Sequence, residues 1–240
     1  MVVLLALALI AWLITERRMA GMDAGPWTDP GPFAFYISAW VVMMAAMMLP
    51  SSVPMVLMFS RLKHARSTPA VATSAFVIGY FVVWTASGLV AYALLKAGQA
   101  AGIFTWDRFG RPLTVGALLA AALYEMTPLK TKCLQKCRSP LGFLLCSWRD
   151  GLRGAFTMGT RHGAWCLGCC WALMVALFAL GVMSLTWMLV VSGLIAVEKL
   201  LPWRRVAMAG VSVVLVVLAT GVAVAPLSVP WLTVPMTGHM

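Results

Sequence analysis

Long apolar runs alternate with short charged stretches along this chain. Residues 30–60 hold no charged side chain over 31 positions, and residues 67–95 hold none over 29. About 20 apolar residues cross the hydrocarbon core of a bilayer as a helix, so each run predicts one spanning helix. The same pattern predicts seven segments in all, at about 2–15, 33–59, 71–95, 112–127, 164–182, 184–199 and 206–225.

The apolar runs are continuous and lack the period of two that is typical of membrane-spanning strands. Helices satisfy their backbone polar groups internally, so such runs favour helices. We therefore predict an all-α polytopic membrane protein, with residues 1–240 forming a single transmembrane domain, a bundle of six to seven helices. The fourth and sixth segments are short, which leaves tilted or partial insertion open for both.

The composition excludes a soluble enzyme. Of the 240 residues, 62% are hydrophobic and 10% are charged, whereas about 25% are charged in an ordinary globular chain. The net charge is +11, and we expect the basic residues between positions 130 and 161 to face anionic lipid headgroups. No zinc-finger, recognition-helix or single-strand-binding pattern accompanies them. The predicted partner is therefore the lipid bilayer and not nucleic acid.

The distribution of Lys and Arg among the loops predicts the orientation. Thirteen of these residues lie in the loops predicted on the same side of the membrane as the N-terminus, and five lie in the loops on the opposite side. Loops rich in Lys and Arg stay in the cytoplasm. We expect a cytoplasmic N-terminus and a C-terminus outside, although Arg17 and Arg18 oppose this assignment. Both arginines follow the first segment, and no basic residue precedes it. A retained helix is therefore expected rather than a cleaved signal peptide.

The second segment carries four methionines at helical spacing, the methionine line: Met43, Met44, Met47 and Met48. Residues four apart share a helix face, so the thioethers form a double stripe beside Pro50 and Pro54. Thioethers and thiolates select Cu(I), which makes this stripe a candidate path for a soft metal. The alternative is that methionine simply packs here as a pliable apolar residue.

The fifth segment concentrates sulfur and imidazole on one helix face, the fifth-segment cluster: His162, Cys166, Cys169 and Cys170. At about 100° per residue, these four side chains fall within one sector of about 100°. Three thiols and an imidazole suit Cu(I) or Zn²⁺, and Gly163 and Gly168 leave room for a partner helix. The alternative is that the cysteines are small buried residues.

A loop cysteine pair, Cys133 and Cys137, lies in the basic stretch between the fourth and fifth segments. If this stretch is helical, the two thiols are one turn apart and face the same way. Glu125 precedes the pair at the end of the fourth segment, where an ionisable group often marks a site. Two plain loop thiols are the alternative. Alternation of the spans brings these groups and the fifth-segment cluster to the same end of the bundle.

These motifs resemble an uncharacterised bacterial family of predicted metal-binding integral membrane proteins. The resemblance rests on residues 40–54, with Met-Met-x-x-Met-Met-x-Pro, and on residues 159–174, with His-Gly-x-x-Cys-x-Gly-Cys-Cys-Trp. Further matching stretches are Gly79-Tyr80 with Trp84, Tyr124 through Pro140, Gly181-x-Met183 and Glu198-Lys199. The resemblance implies a metal-associated membrane protein, and it implies no established reaction or substrate.

Together the patterns predict a bacterial inner-membrane protein that binds a soft metal, Cu(I) as first choice and zinc as second. We expect trafficking or delivery rather than catalysis: the fifth-segment cluster binds the ion, the loop cysteine pair captures or hands it over, and the methionine line carries it. A metal donor or acceptor protein, or a membrane complex, is the expected partner. Two alternatives stay open, a membrane thiol–disulfide oxidoreductase that uses both cysteine motifs and a non-catalytic subunit of a membrane complex.

Overall fold

The protein is predominantly helical in the part that its computed structural model describes, which comprises residues 2–22, 25–27, 29–63 and 69–233. These ranges contain no strand, and the all-α prediction is confirmed. The helices are α1 Val2–Met19, α2 Phe33–Lys63, α3 Pro69–Ala100, α4 Arg111–Glu125, α5 Pro128–Arg138, α6 Pro140–Ser147, α7 Gly151–Leu180, α8 Leu185–Leu200 and α9 Arg204–Val224. One π-helical turn, Trp106–Gly110, precedes α4, and one 3₁₀ turn, Pro226–Ser228, follows α9.

Four of these helices, α2, α3, α7 and α9, are long and apolar enough to cross a membrane. A fifth candidate is the pair α4 and α5, which meet at 67° as a broken span or a re-entrant loop. Each of the seven predicted segments overlaps a helix, but α8, with 16 residues, is about 24 Å long against a hydrocarbon core of about 30 Å. The number seven and the outside location of the C-terminus, whose residues 234–240 lie outside the described ranges, stay predictions.

The stretch predicted as a basic loop between the fourth and fifth segments is largely helical. It contains α5 and α6, and α7 begins at Gly151 rather than near residue 164. The apolar pattern missed α5 because Lys and Arg interrupt the hydrophobic run, yet both residues are good helix formers. It missed α6 because a helix of eight residues is far too short to be recognised as a span. Pro128 and Pro140 stand at the first positions of α5 and α6, where proline is favoured.

The chain packs as two compact units. The first unit comprises Met1–Thr15, Ile37–Val90 and Leu129–Cys169, and the second comprises Glu16–Tyr36, Ala91–Pro128 and Cys170–Met240. The first unit therefore contains α6 and all of α5 except Pro128, together with most of α2 and the N-terminal parts of α3 and α7. Whether the whole chain acts as a single transmembrane domain stays a prediction.

Glycines bring α3 and α7 into close contact in the first unit. A Cβ atom at Gly79 would collide with the backbone carbonyl of Phe156, and one at Gly159 would collide with the carbonyl of Phe76. A Cβ at Gly163 would lie 3.0 Å from the carbonyl oxygen of Tyr80. Gly159 and Gly163 are spaced as in the small-residue motif that lets membrane helices approach. The backbones of α3 and α7 therefore touch, and this contact fixes Tyr80 against α7.

An aromatic core holds α6 and the start of α7 in the first unit. The rings of Phe59 and Phe76 stack with centroids 4.8 Å apart, and Phe143, Leu144 and Met158 are buried in the same cluster. Large aromatic and aliphatic side chains contribute most of the free energy of burial in such a cluster. The α5–α6–α7 connection is therefore anchored to α2 and α3 and holds its place beside them.

The second unit is held by polar contacts at helix ends. Trp27 donates from Nε1 to Oγ1 of Thr114 at 3.0 Å, and Thr114 donates in turn to the carbonyl of Ala179 at 3.3 Å. Arg111 donates to the carbonyls of Val222 and Ala223 at the end of α9. Arginine is well placed at a helix C-terminus, where the last carbonyls lack backbone donors.

Candidate metal centre

Two thiols of the candidate centre come from one turn of α7. Cys166 and Cys169 are three residues apart, which places both side chains on the same side of the helix. Each is 1% exposed. Sγ of Cys169 donates a hydrogen bond to the carbonyl oxygen of Cys166 at 3.1 Å, which holds its rotamer. The pairing of these two thiols follows from helical periodicity alone.

The third thiol comes from α5. The Sγ atoms of Cys137, Cys166 and Cys169 all lie within 4.8 Å of one another, and they form the three-thiol cluster. Among the described residues this is the one group of three or more His, Cys, Asp or Glu side chains close enough to share an ion. The loop cysteine pair is expected to share one face if its stretch is helical, and α5 does contain both cysteines. The helix α5 turns both thiols toward α7.

Cys133 occupies the space that a glycine of α7 leaves free. A Cβ atom at Gly168 would lie 3.0 Å from Sγ of Cys133, and Cys133 is buried. The prediction that Gly163 and Gly168 make room for a neighbouring helix is thus confirmed, with α3 beside Gly163 and α5 beside Gly168. A larger residue at Gly168 would push α5 away and separate Cys137 from the thiols of α7.

Tyr80 of α3 completes the surroundings of the cluster. Its hydroxyl oxygen lies 3.2 Å from Sγ of Cys166, a hydrogen bond in which either atom donates. With the thiol ionised, the phenol is the donor, and such outer partners orient metal ligands and tune them. Sequence reasoning on the ligands missed this residue, and its one signal was the Gly79-Tyr80 stretch in the family resemblance. Tyr80 is 86 residues away from Cys166, so no local pattern connects them.

His162 lies on α7, one turn before Cys166, and its ring stacks on that of Tyr80 from α3. Its imidazole is 1% exposed and is surrounded by the rings of Tyr80, Phe143 and Phe76, with centroids 5.6, 5.6 and 6.0 Å away. The stack of His162 on Tyr80 holds the phenol in place against Cys166. His162 is not a member of the three-thiol cluster, and its role as a ligand stays a prediction.

The other predicted ligands are buried but lie outside the three-thiol cluster. Cys170 is 1% exposed and follows Cys169 at the first position of the second unit. Glu125 is fully buried at the end of α4, also in the second unit. Cys146, which the sequence leaves without a predicted partner, is exposed on α6. The ligand roles of Cys170 and Glu125 stay predictions.

The methionine line is buried on α2 in the first unit. Met43, Met44, Met47 and Met48 are each at most 4% exposed. The helix continues through Pro50 and Pro54, and the hydroxyl of Ser51 donates to the carbonyl of Met48 at 3.0 Å. Burial of all four thioethers fits packing and metal passage equally, so the role of the line stays a prediction.

The three-thiol cluster has the size that a metal ion requires. A metal about 2.3 Å from each of three thiolates in one plane needs sulfur atoms about 4 Å apart, and rotation about χ1 brings side chains within 4.8 Å to that spacing. The ligand set is sulfur throughout, which suits Cu(I) and Zn²⁺ and does not suit Mg²⁺ or Ca²⁺. The residues present therefore fit a soft metal ion.

Comparison with known proteins agrees with this chemistry. The sequence model of the PpoB2 family, described as copper chaperones, matches residues 37–222. That range covers all three thiols of the cluster, Tyr80 and the methionine line. None of the curated proteins and none of the solved structures matches the chain significantly. The match over most of the chain shows that the protein belongs to the PpoB2 copper chaperone family.

Proposed function

We propose that this protein is a copper chaperone of the bacterial inner membrane that binds Cu(I) at Cys137, Cys166 and Cys169 and passes it on. The observation that carries the proposal is the convergence of these three thiols from two helices. The family match supports copper as the cargo. The four or five helices that are long and apolar enough to span a bilayer support the membrane location.

Cu(I) rather than a structural zinc ion is the proposed cargo. Structural zinc sites close four ligands around the ion, whereas the cluster offers three sulfur ligands. Three-sulfur coordination suits Cu(I), since soft sulfur ligands select it, and it leaves the ion open to attack by a further ligand. A chaperone needs this opening, because its ion has to be exchanged rather than retained. Zinc remains the second choice.

The remaining predicted ligands fit transfer to and from this centre. Cys133 lies one turn before Cys137 on α5, and Cys170 follows Cys169 on α7, so either thiol is suited to receive an ion that leaves the cluster. The methionine line on α2, in the same unit as the cluster, would carry the ion with thioether ligands. The proposed orientation has the N-terminus in the cytoplasm and the C-terminus outside.

Copper loading followed by X-ray absorption tests the proposal. The protein is purified anaerobically in detergent, loaded with Cu(I) and freed of excess metal by a chelator of moderate affinity. We expect about one copper per chain, coordinated by about three sulfur atoms near 2.3 Å. Zinc retained in its place, or coordination dominated by nitrogen and oxygen, would contradict the proposal.

Replacing Tyr80 by Phe removes the hydrogen bond to Cys166 but keeps the ring that stacks on His162. Loss of an outer-shell partner of a metal ligand costs about 10–100-fold in affinity. We expect Cu(I) to dissociate at least tenfold faster into a competing chelator and the near-ultraviolet thiolate–copper band to shift. Tyr92→Phe is the matched control, because this hydroxyl donates to the carbonyl of Gly31 in the second unit. An equal effect in both variants would assign Tyr80 a purely structural role.

A thiol–disulfide oxidoreductase is the second candidate, and the same cluster favours it. Cys137 of the loop pair lies within 4.8 Å of the Cys166-x-x-Cys169 motif, so electrons could pass between the two motifs by thiol–disulfide exchange. Trapping distinguishes the two functions. In cells, Cys169→Ser would accumulate a mixed disulfide with a partner if the protein is an oxidoreductase, and it would accumulate none if the protein carries Cu(I).

A further inference from the structure

The three thiols of the cluster differ in their access to solvent. Cys166 and Cys169 on α7 are each 1% exposed, whereas Cys137 on α5 is partly exposed. A ligand from another molecule therefore reaches the cluster from the side of α5. Exchange of Cu(I) requires such an approach, since the incoming sulfur has to bond to the ion before an outgoing sulfur leaves.

The outer face of α5 is polar and basic. Leu129 in the first turn is exposed, but from Lys130 to Arg138 the exposed side chains are those of Lys132, Gln135 and Lys136, and none of them is apolar. A helix that lies in a membrane interface instead presents Leu, Phe or Trp between its basic residues. The following helix, α6, contains no basic residue and exposes Leu141 and Leu145. The surface of α5 therefore suits an aqueous protein partner better than a bilayer, and docking on it requires the bent α4–α5 pair to be a re-entrant loop rather than a fifth span.

The charge of the first unit strengthens this surface. The residue ranges of this unit contain ten Lys and Arg and one acidic residue, Asp150. The second unit contains eight basic and six acidic residues. Charge of one sign on one part of a protein steers partners of opposite sign and raises the rate of association. The surplus of positive charge therefore belongs to the unit that holds the three-thiol cluster.

We propose that the exposed face of α5 is the docking surface for a metal donor or acceptor protein that presents an acidic face and a thiolate or thioether. This inference rests on the proposed function and adds the chemistry of the partner. In the exchange, a partner sulfur forms a bond to Cu(I) as the bond to one Cys sulfur breaks. The copper stays Cu(I), and the released thiolate keeps its electron pair and takes a proton from water. Cys137 is the first sulfur to exchange.

Two synthetic peptides test the docking surface on the metal-free protein. Both contain the same Cys-x-x-Cys dithiol and a fluorescent label, but one is flanked by Asp and the other by Asn. Fluorescence anisotropy in detergent at low salt measures their affinities. We expect the Asp peptide to bind about tenfold more tightly than the Asn peptide, as electrostatic complementarity allows, and the ratio to fall as salt is added.

Two double variants test which basic residues produce the preference for the Asp peptide. Lys132→Gln with Lys136→Gln is expected to reduce the tenfold ratio to less than twofold. Arg17→Gln with Arg18→Gln removes the same charge from exposed positions at the end of α1 and is expected to leave the ratio unchanged. Equal affinities of the two peptides for the unaltered protein would overturn the proposal. An equal loss in both double variants would also overturn it, because it would show attraction to net charge alone.

The same binding assay in nanodiscs separates a protein partner from the membrane surface. With α5 as a protein-docking surface, the Asp peptide remains favoured in nanodiscs of phosphatidylcholine, whose headgroups offer phosphate without a net negative charge that would itself repel the peptide. If Lys132 and Lys136 instead bind lipid headgroups, the preference is present in detergent and absent in these nanodiscs, which would overturn the proposal. Because no copper is present, this result stands apart from the proposed function, which copper loading tests separately.

Discussion

Replacing Cys137, Cys166 and Cys169 together by serine is expected to abolish Cu(I) binding, from about one copper per chain to none. A serine hydroxyl is a hard, neutral oxygen ligand and does not replace a thiolate for a soft ion. Each single substitution leaves two sulfur ligands, and we expect it to weaken affinity by at least about a hundredfold, beyond the range for outer-shell partners. Competition with a chromophoric Cu(I) chelator measures these affinities.

Cys146→Ser is the matched control, because this cysteine is exposed on α6 and outside the cluster. It should bind copper as the unaltered protein does. Cys170→Ser tests whether Cys170 is itself a ligand of the bound ion. If this variant retains copper, Cys170 acts at most in transfer. Full copper binding by Cys137→Ser would refute the cluster, since it would show that the thiols of α7 hold the ion without α5.

Gly159→Ala is expected to lower the stability of the protein markedly. The added Cβ meets the backbone carbonyl of Phe76, which cannot rotate away as a flexible side chain would, so α3 and α7 have to separate. Overpacking costs about 1–3 kcal/mol, and this contact belongs at the upper end of that range. The thermal midpoint in detergent should fall by roughly 6–12 °C.

Gly210→Ala on α9 provides the comparison, because nothing lies within 4 Å of a Cβ at that position. Alanine is about 0.8–1.0 kcal/mol more favourable than glycine inside a helix, so this variant should be as stable as the unaltered protein or slightly more so. Separation of α3 from α7 also draws Tyr80 away from Cys166. Gly159→Ala should therefore release Cu(I) faster. Identical melting of the two variants would show that the glycine contact contributes nothing.

Most of the helices could be predicted from the sequence, because an apolar run has few ways to satisfy its backbone. The predictions failed where charge and helix formation coincide. Lys132, Lys136 and Arg153 interrupt the apolar pattern, yet they lie on α5 and α7. The start of α7 at Gly151 was missed for this reason, since the pattern reports burial and not helicity.

The candidate site could be predicted in its parts but not in its assembly. Helical periodicity placed Cys166 with Cys169, and it placed Cys133 with Cys137. Which thiol of α5 lies beside the thiols of α7 depends on how the two helices pack. The side chain of Cys133 occupies the space over Gly168, and Sγ of Cys137 lies near those of Cys166 and Cys169. The contact of Tyr80 with Cys166 depends on the glycines of α3 and α7. Such long-range packing leaves no periodic trace in a single sequence.

The scarcity of carboxylates in the first unit decides which ions compete for the thiols. Mg²⁺ and Ca²⁺ take oxygen ligands, and the acidic side chain that this unit offers, Asp150, is exposed and accepts a hydrogen bond from Trp148. Coulomb repulsion grows in proportion to ionic charge, so the basic surplus opposes a divalent cation twice as strongly as a monovalent one. At the proposed Cu(I) site, this surplus would act on the approaching ion before any metal–sulfur bond forms, and it would oppose abundant divalent ions more strongly than monovalent Cu(I).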